Sequence, residues 1–193
     1  MAALDLSTLT PRNKALGAFC ILPNTRYSQQ EADEKILLTL RASPYTQVTW
    51  VVNSVIALIL LIALVAYLST FSVLTVVALS LLVGLSLIFT YAWYNFVLWY
   101  YNLGIVSTLR IVDIDYYGIS KRVTTETRVN KVADATAKTA GFFGQIFNYG
   151  DVFVVTDGPE RNIEFLNVPD PDIAVSIINS AMGASLARKK TNV

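Results

Sequence analysis

The sequence predicts a membrane α+β protein: a two-helix transmembrane hairpin followed by a small barrel or curled β-sheet plugged by a C-terminal helix. Three observations lead there. No charged residue occurs between Arg41 and Arg110, a gap that a water-exposed surface does not sustain. Two apolar runs within that gap each reach the roughly 20 residues needed to cross a hydrocarbon core. Beyond residue 98 the apolar period changes from helical to two, and one amphipathic helical segment closes the pattern.

Residues 1–27 read as irregular, because Pro11, Gly17, Pro23 and Asn24 interrupt any periodicity. Met1 to Leu16 hold no short hydrophobic core and no small-residue cleavage site, so no signal peptide is expected there. Residues 28–44 read as a short amphipathic helix. Ser28 and Glu31 have capping-box spacing, Ala32, Ile36, Leu37 and Leu40 share a face, and Ser43-Pro44 ends the run. Such a helix would lie at the membrane surface or against the β domain, or serve as a plain connector.

Residues 45–97 form the expected hairpin, with spans over about 48–69 and 73–96. Only Ser69-Thr70-Phe71-Ser72 connect them. Arg12, Lys14, Arg26, Lys35 and Arg41 precede the first span, Arg110, Lys121 and Arg122 follow the second, and the connecting loop has no Lys or Arg. The positive-inside rule then puts both termini in the cytoplasm of a multi-pass protein of the cell membrane. Aromatic residues mark the same interface: Tyr45 and Trp50 at the start of span one, and Tyr91, Trp93, Tyr94, Trp99, Tyr100 and Tyr101 at the end of span two. Trp50, Trp93 and Trp99 are the expected interfacial anchors. Ser80 and Gly84 have the small-xxx-small spacing that lets helices approach. Asn53 lies near one end of span one, where it can bond another helix or reach the interface.

Residues 98–187 read as the β domain. Leu103, Ile105, Leu109, Ile111 and Ile114 are its first apolar positions, and Tyr117-Gly118 marks a turn. Arg122 to Val129 alternates, Val132 to Lys138 is a further strand, and Asp151 to Thr156 returns through Asp157-Gly158-Pro159 to Asn162 to Val168. Asp170-Pro171 starts the last helix, with aspartate as N-cap and proline at the first helical position. Ile173, Ile177, Ile178, Ala181 and Met182 give it an apolar stripe, and 188–193 form a basic tail.

Composition narrows the chemistry. The chain has no histidine, which removes the commonest general base and metal ligand. Its one cysteine, Cys20, excludes an intramolecular disulfide. A net charge of +1 gives no global field for nucleic acid. No phosphate loop, zinc pattern or nucleophile elbow is present. Asp113/Asp115 and Asp170/Asp172 can be read as carboxylate pairs. In a strand the first pair shares a face, but no second catalytic residue type accompanies it, and Asp170 is accounted for as a helix cap. No enzyme activity, cofactor or metal is expected.

Two groups of residues are candidates for contact. The segment Gly141 to Gly150 combines three glycines with Phe142, Phe143, Ile146, Phe147 and Tyr149. It reads either as a loop that dips into the membrane or docks a partner, or as a turn whose aromatics fill the core. The tail Arg188-Lys189-Lys190 suits weak contact with an anionic leaflet. Arg110, Lys121, Arg122, Arg128, Lys131 and Lys138 suit a headgroup less well, because Asp113, Asp115, Glu126 and Asp134 interleave with them.

The order of these elements resembles the bacterial pleckstrin-homology-like (PH-like), membrane-flanked domain family. The resemblance rests on five stretches in order: Ser107 to Ile114, Arg128 to Ala135, Gly141 to Val152, Val154-Val155-Thr156, and Phe165 to Pro171. The family often has a polar residue near position 109, and here it is Leu109, so no polar role is assigned there. The resemblance implies a PH-like split β-barrel or curled sheet capped by the C-terminal helix. It does not imply phosphoinositide binding; the lack of catalytic chemistry, combined with a fold usually used for binding, points to a non-enzymatic module held at the cytoplasmic membrane face for protein interaction or self-assembly. A module that binds lipid headgroups or senses the membrane is the alternative. The expected partners are the lipid bilayer, further copies of the chain or another membrane protein, and anionic lipid under the alternative; nucleic acid is not among them.

Overall fold

A computed structural model of the chain describes residues 10–23, 34–71, 73–118, 120–139, 141–157 and 162–191. The chain divides into two compact units. One is Thr46–Tyr100, and the other combines the parts before and after it.

The first unit holds α1 (Val48–Leu68) and most of α2 (Leu74–Tyr101). Both helices are long and apolar enough to cross a membrane. Neither carries a charged side chain, and most large apolar residues on them are exposed in the isolated chain, the rest being half-buried. Leu61, 8% exposed, is the buried one and packs at Gly84. A Cβ at 84 would overlap the Leu61 side chain, so Gly84 is where α1 and α2 approach. Asn53 is exposed on α1. The second helix runs five residues past the expected end of the span and takes the aromatic cluster up to Tyr101 with it.

The second unit contains two sheets. Strands β1 (Arg12–Lys14), β2 (Phe19–Ile21), β3 (Ile36–Leu40), β4 (Leu103–Ser107), β5 (Arg110–Tyr116) and β6 (Arg122–Arg128) form an antiparallel sheet in that order. A 3-10 turn at Val129–Lys131 leads into β7 (Val132–Lys138), which pairs with β8 (Tyr149–Thr156) and then β9 (Ile163–Pro169) in a second sheet. A short helix α3 (Phe142–Ile146) links β7 to β8, and α4 (Pro171–Thr191) follows β9. The sheets stay separate, so the expected barrel is a pair of sheets and not a closed one.

The core lies between the sheets and under α4. Ala174, Ile177, Ile178 and Ala181 bring one face of α4 onto Val129, Val132, Ala135, Val152 and Val154. From the first sheet come Phe19, Leu38, Leu40, Val106 and Ile111. A smaller cluster of Ile36, Ile105 and Val112, flanked by Leu103 and Ile114, packs separately. Alternation explains the division in β5: Ile111 faces the main core while Val112 and Ile114 serve the second cluster.

Three expectations from sequence need correction. The helix expected within 28–44 is absent over its described part, where Ile36–Leu40 is strand β3; residues 24–33 lie outside the described residues. The run Ile-Leu-Leu-Thr-Leu satisfies a helical stripe, but it is buried between β2 and β4, and ladder pairing on both edges overrides the local pattern. The segment 1–27 is not wholly irregular, since β1 and β2 pair as a hairpin beside β3. The β domain therefore does not begin at 98. It begins before the apolar helices, and β3 and β4 are hydrogen-bonded neighbours with Leu40 opposite Gly104. The whole segment 41–102 is an insertion between two adjacent strands.

Candidate interaction surface

The segment 141–150 resolves into a short helix with a glycine underside. Gly141, at φ +82°, turns the chain into α3 in a conformation that favours glycine. Gly144 is buried against the Tyr149 carbonyl, which an added Cβ would approach to 3.0 Å. Since backbone lies against the sheet, the large side chains of α3 are left outside. Phe142 is 72% exposed, Phe143 63% and Phe147 41%, and Ile146 is exposed as well. The reading in which these aromatics fill the core is thereby overturned. Tyr149 is half-buried at the start of β8, opposite Pro169, and stands apart from the group.

The exposed rings form a row. Phe142 meets Phe143 edge-on at 5.7 Å, Phe143 stacks on Phe147 at 6.4 Å, and Phe147 stacks on Tyr45 at 4.2 Å. Tyr45 sits in the 3-10 turn Pro44–Gln47. Sequence reasoning assigned Tyr45 to the interfacial belt and the phenylalanines to a separate loop, and their contact was not legible.

The row is held at its base by a polar clasp. Asn148, at φ +49°, donates from Nδ2 to Asp170 Oδ1 at 2.6 Å, and its carbonyl accepts the Asp170 N–H at 2.9 Å. Lys14 Nζ binds the other carboxylate oxygen at 2.7 Å. Asp170 thus differs from the expected helix cap. Its carbonyl accepts the first N–H groups of α4, while its carboxylate joins β1 to the α3–β8 turn.

The remaining sites expected from sequence are dispersed. Trp50 donates to Gln47 Oε1 at 2.9 Å. Trp93 is exposed on α2 between Phe89 and Phe96, and Trp99 lies against Phe96. The Arg188, Lys189 and Lys190 side chains lie outside what the structure describes. Among the basic residues, Arg110 is engaged by Glu126 at 2.7 Å and by buried Glu34 at 3.4 Å, with Ser107 Oγ donating to the same Glu34. Lys121 and Arg122 lie over the rings of Tyr117 and Tyr116. These three are engaged within the chain, while Arg128 lines a cleft together with Arg110 and Glu126.

A cleft of about 450 Å³ opens at the end of the core, lined by Gly104, Asp113, Asp115, Thr125, Glu164 and Phe165 among others. Asp113 and Asp115 follow Ile111 onto the inner face of β5, as their spacing predicts. Burial pushes the Asp113 carboxyl up to about 7, with help from the Asp115 charge and a hydrogen bond between the two carboxyls. Tyr117 donates weakly to Asp115 at 3.4 Å, and that carboxylate raises the phenol above its ordinary value. Two carboxyls near one proton can exchange it, and Arg41 and Tyr117 line the same cleft. Among the described residues no group of three or more His, Cys, Asp or Glu side chains is placed to hold a metal ion.

A family model described as the bacterial PH domain matches residues 36–182. Comparison with curated proteins and with solved structures finds no match. The matched stretch begins at the first residue of β3 and ends within α4, so it spans the inserted helices and leaves β1 and β2 outside. Besides the inserted helices it holds seven strands in two sheets, the short helix α3 and the first part of α4, built on the stretches that suggested the family in the sequence. PH domains are typically non-catalytic interaction modules. The chain belongs to the bacterial PH domain family.

Proposed function

We propose that this protein is a non-enzymatic membrane module: its helical hairpin crosses the cytoplasmic membrane and holds the PH domain at the inner face for contact with protein, including its own copies. One observation carries the reading. The hairpin is inserted between hydrogen-bonded neighbours β3 and β4, so the domain is tied at two points within one sheet. On the second side the link is a single residue, Asn102, between α2 and β4. A double, short tether suits a module that works beside the bilayer. The uncharged stretch from Arg41 to Arg110 and the basic flanks support the same orientation.

The test is co-expression of two differently tagged full-length copies, with a photo-crosslinking residue at exposed Thr124 on edge strand β6 or at exposed Leu166 on β9. Covalent products joining the two tags, or joining the chain to one reproducible membrane protein, are expected. Only uncrosslinked monomer from both positions would overturn the interaction reading. Tags at the termini that are digested in intact spheroplasts would overturn the orientation. A lipid-contacting role is favoured by one separate observation, the exposed aromatic row.

A further inference from the structure

We propose that the aromatic row Tyr45–Phe147–Phe143–Phe142 inserts into the interfacial layer of the same bilayer that the hairpin crosses, as a third membrane contact of the PH domain. The inference rests on the spanning reading of the hairpin given above.

Chain continuity identifies the occupant. Tyr45 stacks on Phe147, and the turn that contains Tyr45 runs directly into α1 at Val48. Three residues reach at most about 11 Å. A helix that enters hydrocarbon at Val48 therefore keeps Tyr45, and the ring stacked on it, close to the headgroup layer. The α3 row is on the side of the domain from which the chain departs for the membrane.

Chemistry agrees with the position. No charged residue occurs in 139–150 or in 42–52, so neither segment would bring an ionised group into a poorly hydrated layer. Phenylalanines beside a tyrosine suit an interface where one edge is wet. The clasp of Asn148, Asp170 and Lys14 fixes the α3–β8 turn before any contact is made, which limits the ordering cost of insertion. The patch is too small for a stable protein dimer. Five half-exposed side chains offer roughly 500 Å², against the roughly 800 Å² per partner of a standard interface.

The experiment uses the full chain in lipid vesicles. Cys20 is replaced by Ala, and single cysteines are placed by Phe143→Cys, by Ile59→Cys within α1, and by Ala133→Cys on the exposed side of β7. Each carries an environment-sensitive fluorophore and is read against lipids with a quencher at a shallow or a deep acyl position. The shallow quencher should reduce emission at 143 several-fold more than at 133, and the deep quencher should act most at 59. Quenching at 59 with position 143 behaving like 133 would overturn this proposal and leave the spanning reading intact. Protection of 143 from aqueous iodide without lipid quenching would also overturn it, and would assign the row to a second protein surface. Absence of quenching at 59 would overturn the spanning reading and this proposal with it.

Discussion

Asp113 gives the sharpest test of the cleft. It follows Ile111 onto the inner face of β5, lies beside Asp115, and is buried. Burial first, and the Asp115 charge second, raise its carboxyl from 3.8 to about 7. The sign follows from proton binding. Between those two values Asp113 holds its proton in the folded chain but not in the unfolded one, so its contribution to stability is fully present below about 4 and is lost as pH rises toward 7. The full effect has an upper limit of about 4 kcal/mol, from roughly 1.4 kcal/mol per pH decade. Asp113→Asn keeps the shape and removes the charge, so it should flatten this dependence. At pH about 8.5 the variant should melt higher than the parent by roughly 4–8 °C for a gain of about 2 kcal/mol, and at pH about 4.5 the two should converge. Far-ultraviolet circular dichroism of the purified full chain is the suitable readout. All three tryptophans lie in α1 or α2, so their fluorescence would not follow the sheets. Melting curves separated by the same interval at both pH values would refute the reasoning.

Three further substitutions probe the packing of the sheets. A Cβ at Gly104 would overlap the Phe165 ring; Gly104→Ala should cost about 1–3 kcal/mol in denaturant unfolding. Combining it with Phe165→Ala should cost clearly less than the sum of the single effects, because one change removes the clash that the other creates. Thr127 Oγ is buried and finds no hydrogen-bond partner among the described residues. Thr127→Val removes that unsatisfied hydroxyl and should raise stability by about 1 kcal/mol, and a loss in the same assay would show that the hydroxyl is satisfied in solution.

The parts of this fold that depend on local pattern were legible in the sequence. The charge gap located both helices, the alternation of Arg122 to Val129 gave β6, and Asp157-Gly158-Pro159 lay between β8 and β9. What failed was everything decided across long sequence distances. Ile36–Leu40 carries a stripe that serves a helix or a buried strand equally, and only its pairing with Phe19–Ile21 and Leu103–Ser107 decides between them. Three-residue strands such as Arg12–Lys14 are too short to show a period. At the candidate surface, composition flagged Phe142, Phe143 and Phe147. Their exposure depends on Gly144 pressing against the Tyr149 carbonyl, and their partner Tyr45 comes from the far side of the hairpin. The Lys14–Asp170 contact joins residues at opposite ends of the chain, and no local signal announces it.

The insertion at 41–102 poses a physical question that the hairpin itself answers. Closing a flexible loop of that length would cost roughly 2 kcal/mol more than closing a four-residue turn, from 1.5RT times the logarithm of the length ratio. The sheet core would have to offset this, since Leu40 and Gly104 face each other in the β3–β4 ladder. An antiparallel pair of helices, meeting at Leu61 and Gly84, returns the chain close to where it left. The closure entropy is then borne by the helix pair and not by the β3–β4 ladder. Replacing 41–102 with a glycine-serine linker of equal length should therefore leave the sheets about 2 kcal/mol less stable than replacing it with a four-residue turn. Both replacements lose the same contacts of 41–45, so the comparison isolates closure. Equal unfolding midpoints for the two chains would show that the inserted segment does not bear on sheet stability through its ends.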